Sequence, residues 1–202
     1  MINTLIFDYG GVISDGGRSF EPMLRLANNL KIDEESAIEL IKKPWGRLSS
    51  GIVDVNGFWV EIDKAYGSAI PSQTKEIWNT YENCMKPRTD VLHFLKTLRS
   101  SGYHLGLLSN TVPPTANSIR NAGGYKSFDF TILSCEVGLQ KPESRIYELI
   151  LENLPGMSPA DMIYVDDVPA NLDPARALGI KTVLANSPSN MIGEIASILN
   201  VH

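Results

Sequence analysis

Cysteine and histidine are scarce in this chain of 202 residues, which has two of the first and three of the second. Cys84 and Cys135 lie far apart and outside any CxxC pattern, so they read as two reduced thiols, not as a disulfide or a metal pair. The lack of a His or Cys cluster argues against zinc. Long hydrophobic runs are missing too: nowhere do about eighteen apolar residues follow one another. The N-terminus has no basic stretch leading into an apolar run and a cleavage site, so neither export nor membrane insertion is expected, and a cytoplasmic location is. Positive charge is not in excess. The formal net charge is -5, with acidic and basic residues mixed along the chain, and this removes the basic stripe that nucleic-acid binding requires. No GxGxxG follows the first apolar run, and no repeat of solenoid period is visible. What is there is a globular composition, 43% hydrophobic and 20% charged, sufficient for one substantial core with a small accessory lobe.

Short apolar runs fit buried parallel strands at Thr4 to Phe7, His104 to Leu108, Thr131 to Leu133, Met162 to Val165 and Lys181 to Leu184. Helical patterns lie between them at Asp90 to Ser100, Pro142 to Asn153 and Asn171 to Leu178, the first and last closed by Gly102 and Gly179. Alternation of this kind predicts an α/β fold with an open parallel sheet flanked by helices. It is interrupted once. Glu21 to Leu30, Glu34 to Lys42, Gly57 to Tyr66 and Ser72 to Cys84 all read as helices, so residues 15–87 are expected to form a helical insertion, with 1–14 and 88–202 as the core. An insertion leaving the carboxyl end of the first strand stands above the ligand-binding edge of a doubly wound sheet, where it would act as a lid.

The polar residues at the carboxyl ends of the expected strands are Asp8, the Ser109-Asn110 pair and the Asp166-Asp167 pair, and Lys141 follows the third strand. A parallel sheet gathers these ends along one edge. Three carboxylates brought together repel one another and hold their protons unless a divalent cation is present. Mg²⁺ suits them, as a hard ion that takes one or two carboxylates and a substrate phosphate. Asp8 can then attack phosphorus to give an aspartyl phosphate, while Lys141 and the Ser109 hydroxyl hold the non-bridging oxygens. The Gly10-Gly11 turn lets backbone approach a phosphate, and its amides can line an anion nest.

In the stretches LIFDYGGVI, LGLLSNT, SCEVGLQKPESRIY and MIYVDDVPANLDPARALGI the chain resembles the haloacid dehalogenase superfamily, in particular its phosphatase-like members with a helical cap after the first motif. The stretch SSGIVDVNGFW resembles part of that cap. The resemblance implies a Rossmann-like core, Mg²⁺-dependent phosphoryl transfer, Asp8 as nucleophile, and the backbone carbonyl of Gly10 as a metal ligand. It further implies Asp167 as the direct side-chain ligand in the fourth motif, with Asp166 either a second ligand or a partner through metal-bound water. Phosphate would be bound by Gly11, Ser109, Asn110 and Lys141. Gly10 departs from the family pattern, in which most phosphatases carry a general acid two residues after the nucleophile. Without that acid an activated leaving group is favoured, such as an anomeric sugar phosphate, unless Asp15 supplies the proton. Asn171 stands where many relatives have an acid and is expected to orient a neighbour. Arg18, Trp45 and Arg47 are candidates for lining the cap pocket. The expected protein is a phosphatase of a small phosphorylated metabolite, monomeric or homodimeric. The alternatives are a 2-haloacid dehalogenase, or a catalytically silent relative that binds a phosphorylated ligand or a protein.

Overall fold

The strand Thr4–Phe7 (β1) occupies the middle of a parallel five-stranded sheet, in which its period-two pattern serves two layers at once. Leu5 and Phe7 enter one core with Leu105, Leu107, Ile163 and Val165, whereas Ile6 points to the opposite core with Leu108, Ile132 and Tyr164. All three β1 side chains are fully buried, each contributing about 1.5–3 kcal/mol of hydrophobic stabilisation. The computed structural model describes residues 1–15, 21–76 and 85–199.

After β1 come the helices α1 (Glu21–Leu30), α2 (Glu34–Ser49) and α3 (Val55–Tyr66), and a 3-10 turn at Ser72–Glu76. The chain then alternates through α4 (Thr89–Ser100), β2 (His104–Ser109), α5 (Pro113–Asn121), β3 (Phe130–Leu133), the short α6 (Ser134–Val137), α7 (Ser144–Asn153), β4 (Met162–Asp166), α8 (Pro169–Ala177), β5 (Lys181–Leu184) and α9 (Pro188–Leu199). The strand order is β3-β2-β1-β4-β5. Succession reverses at β1, so the carboxyl ends of β1, β2 and β4 border the crevice where doubly wound sheets bind ligands. Phe7 is in register with Leu107 on one side and Val165 on the other, which brings Asp8, Ser109 and Asp166 to one edge.

The helices α1 to α3 pack around a cluster of their own that includes Leu26, Ile41, Leu48, Phe58 and Ile62. Val112, from the loop after β2, joins this cluster and is 1% exposed. Asp33 and Asp54 cap α2 and α3, accepting hydrogen bonds from Ser36 N at 2.9 Å and Gly57 N at 2.7 Å. Of the helices read from the sequence, that beginning at Glu34 runs on through Pro44 to Ser49, because the proline is buried with Ile41 and Leu48 on one face. The helix read at Ser72 to Cys84 begins as a 3-10 turn, and its residues 77–84 lie outside the described residues. Two further helices lie outside the patterns read above: α5 opens on two prolines in its first turn, and α9 holds Gly193 in its interior.

Candidate active site

The loop after β1 is shaped from both ends. Asp8 N donates to Val165 O at 2.9 Å, extending the strand ladder by one step, and then Tyr9, Val12 and Ile13 turn into the core. The chain can reverse so quickly because Gly11 adopts φ +80. A Cβ on Gly11 would stand 2.4 Å from Asp167 Oδ2, so the missing side chain makes room for that carboxylate. The N–H of Gly11, read from the sequence as an anion-binding amide, donates to Ser14 O at 2.9 Å within the turn.

Lys141 lies at the centre. Its Nζ donates to Asp8 Oδ1 at 2.9 Å, Asp166 Oδ2 at 2.7 Å and Leu108 O at 3.1 Å, which engages all the donors of an ammonium group. Burial works against the ammonium charge, but Asp8 and Asp166 outweigh it and raise the Lys141 pKa. Burial also pushes the Asp8 carboxyl up to about 6, with Lys141 pulling it down and Asp166 pushing it further up. Asp8 is 8% exposed and Asp166 fully buried.

Asp166 is saturated by protein donors. Val168 N lies 2.8 Å from Oδ1, Asn171 Nδ2 reaches both oxygens at 3.0 and 3.1 Å, and the Tyr164 hydroxyl joins Lys141 on Oδ2. Burial holds the Tyr164 phenol well above its ordinary pKa, which keeps it a donor. Asn171 therefore orients its neighbour Asp166, and its own carbonyl accepts the Tyr147 hydroxyl at 2.8 Å. Asn110, expected on phosphate, has its amide engaged elsewhere. Its Nδ2 donates to Lys141 O and its Oδ1 accepts from Lys141 N, both at 2.9 Å. Ser109 ends β2 and is 4% exposed.

Asp8, Asp166 and Asp167 each offer an oxygen within 4.8 Å of the others. That spacing, together with the raised pKa of Asp8, fits a divalent cation, whose charge would offset the repulsion. Beside Asp167 opens a polar pocket of about 230 Å³ lined by Gly11, Asp15, Arg88, Asp167, Ala185 and Asn186. Asp15 is ion-paired with Arg88, which also donates to Gly11 O at 3.1 Å and Val12 O at 3.4 Å. Nothing in its sequence neighbourhood marks Arg88, yet it ties the outgoing and returning chains together. A larger groove of about 570 Å³ lies between α2 and α3 and contains none of the three acids. Arg47 lines that groove and pairs with Glu61 at 2.8 Å, Trp45 packs edge-on against Phe58, and Arg18 lies outside the described residues.

A family model for haloacid dehalogenase-like hydrolases matches residues 2–179. The chain is a haloacid dehalogenase-like hydrolase. Among its relatives, the D-ribitol-5-phosphate phosphatase of Bacteroides thetaiotaomicron is 26% identical, over 99% of this chain and 100% of that protein. A solved haloacid dehalogenase-like hydrolase of Porphyromonas gingivalis superposes with a TM-score of 0.80 at 25% identity, covering 98% of both chains. A family enzyme of B. thetaiotaomicron, solved as a magnesium complex, gives a TM-score of 0.74 at 25% identity, over 91% of this hydrolase and 92% of that chain. Other relatives are much longer. This hydrolase spans 15% of the length of mouse acyl-CoA dehydrogenase family member 10 and 13% of mouse bifunctional epoxide hydrolase 2, at 26% and 38% identity over the matched parts. No helix among the described residues is long and apolar enough to cross a membrane.

Proposed function

We propose that this hydrolase is a Mg²⁺-dependent phosphatase of small phosphorylated metabolites, sugar phosphates included, and that residues 15–87 form a cap over its active site. The observation that carries this reading is the buried Lys141 ammonium bridging Asp8 and Asp166 at 2.9 and 2.7 Å, with Asp167 beside them. Asp8 attacks phosphorus, the bond from phosphorus to the leaving oxygen breaks, and that oxygen leaves with the electron pair. Water then attacks phosphorus in the aspartyl phosphate, releasing phosphate and regenerating Asp8. The Asp8 and Asp167 carboxylates and the Gly10 carbonyl would hold Mg²⁺, which supplies positive charge to the nucleophile and the phosphoryl oxygens. Asp166, saturated by protein donors, fixes Lys141 and contributes its negative charge beside the ion. Lys141 keeps Asp8 aimed; a phosphoryl oxygen reaching its Nζ takes the place of one present acceptor. Ser109 donates to another phosphoryl oxygen.

Gly10 brings no carboxyl to the leaving group. A general acid contributes about 10²- to 10⁴-fold when the leaving group is poor, so activated esters should turn over best. Asp15, the nearby carboxylate on the pocket wall, is held by Arg88. The D-ribitol 5-phosphate named for one relative is an ester of a primary alcohol, and this makes the contrast worth measuring. Hydrolysis of p-nitrophenyl phosphate should require Mg²⁺ and vanish in Asp8→Asn. Acetyl phosphate and a hexose 1-phosphate should exceed ribitol 5-phosphate in kcat/KM, and equal values would remove the leaving-group preference. Chloride release from 2-chloropropionate without metal, and no phosphate release, would replace the phosphatase with a dehalogenase.

A further inference from the structure

The end of α2 is fastened to the segment that carries Lys141 at both ends of that segment. Ser134, the first residue after β3, is fully buried. Its hydroxyl accepts from Thr111 N at 2.9 Å and donates to Thr111 O at 3.1 Å, and Ser49 Oγ of α2 lies 3.3 Å from it. A hydroxyl has one proton and two lone pairs. With the proton given to Thr111 O and one lone pair taken by Thr111 N, Ser49 is left as the donor to the other. At the far end of the segment, Gln140 Nε2 donates to Gly46 O at 3.2 Å and to Ser50 Oγ at 3.0 Å. Gln140 immediately precedes Lys141.

The path onward from Ser134 is short. Thr111 follows Asn110, whose amide holds the Lys141 peptide through both its N–H and its carbonyl. Lys141 then reaches Asp8 and Asp166. We infer that Ser134 is a positioning residue: by joining Ser49 of α2 to the Thr111 backbone, it couples docking of the cap to the placement of Lys141 against Asp8. Its catalytic consequence rests on the phosphatase reading, whereas the linkage does not. With α2 seated, Ser134 has every hydrogen-bonding position filled and the Thr111-Asn110 loop is fixed. With α2 withdrawn, that hydroxyl loses a partner, the loop gains freedom, and Lys141 is less firmly held. In a buried network a lost partner weakens the bonds that remain.

Ser134→Ala would leave both Thr111 backbone groups unpaired in the interior and can prevent folding. Ser49→Ala is the better probe, because it removes only the link from α2. Amide hydrogen exchange at Thr111 and Lys141 should accelerate several-fold in Ser49→Ala. With p-nitrophenyl phosphate, kcat should fall about 3- to 10-fold at nearly constant KM. Ser49→Thr, which keeps the hydroxyl, should restore both. Unchanged exchange at the two amides overturns the coupling, and accelerated exchange with unchanged kcat overturns the positioning role. If the wild-type hydrolase releases no phosphate, the phosphatase reading fails by itself, while the exchange rates still decide the linkage.

Discussion

Gly11 and Lys141 show how little chemistry a single residue needs to carry in order to be indispensable. Gly11 contributes a left-handed turn and an empty Cβ position; its amide is used inside the turn. In Gly11→Ala the methyl would overlap the Asp167 carboxylate, and the left-handed conformation adds about 1–2 kcal/mol of strain. We expect Mg²⁺ affinity to drop at least about tenfold, since Asp167 must move from the cluster. Calorimetric titration of Mg²⁺ against the wild type and the variant checks this, and equal affinities would show that Asp167 is not a ligand. Lys141 illustrates the converse case. Burial alone would strip its charge, but two carboxylates restore it, so the ammonium exists only because the fold brings Asp8 and Asp166 to it.

At the level of elements, the sheet gathers the acids and Lys141, and α2 docks against the segment that leads to Lys141. The carboxyl ends of β1, β2 and β4 deliver Asp8, Ser109 and Asp166 with the precision of strand register. The docking of α2 is as closely specified, but by contacts of another kind. Gly51, just beyond the helix, has φ +65, and a Cβ there would lie 2.5 Å from Cys135 O in α6. Gly51→Ala should lift the end of α2 from α6 and lower stability by about 1–3 kcal/mol, read from urea denaturation. A change below about 0.5 kcal/mol would mean that α6 yields without loss. The side chain of Cys135 packs against the core cluster that holds Tyr9 and Leu133, where burial pushes its thiol pKa up to about 11, so it belongs to the packing and not to the chemistry.

For the whole molecule, the assembled acids tie stability to pH and to metal. The Asp8 carboxyl titrates near 6 in the folded protein, against 3.8 for an unperturbed group, chiefly through burial. A folded pKa above the unfolded one means that folding favours the protonated form. This contribution is present in full below about pH 4 and is lost as the pH rises through about 6. In metal-free protein the wild type should therefore lose Tm relative to Asp8→Asn between those limits. Mg²⁺, which binds the ionised carboxylate, should stabilise the wild type above about pH 6 and do less for the variant. Thermal denaturation of both proteins from pH 4.5 to 8, with and without Mg²⁺, provides the comparison. Parallel curves for the two metal-free proteins would show that Asp8 is not held protonated by its surroundings.

Local pattern alone determined the strands Thr4–Phe7 and Lys181–Leu184 to the residue, and it placed Asp8, Ser109, Lys141 and the Asp166-Asp167 pair at or after the ends of four separate strands. This was possible because buried parallel strands are continuous apolar runs, and because a parallel sheet puts all their carboxyl ends on one edge. It also showed that Gly10 brings no acid. Which partner each polar group takes was decided only by tertiary structure. Asn110 meets the backbone of Lys141, Gly11 uses its amide within the turn, Tyr164 reaches Asp166, and Ser134 joins Ser49 to Thr111. No spacing in the chain encodes these choices. Hydrogen-bond partners in a core are settled by which buried donors and acceptors are left within reach once the apolar faces have packed, and that competition exists only in the folded molecule.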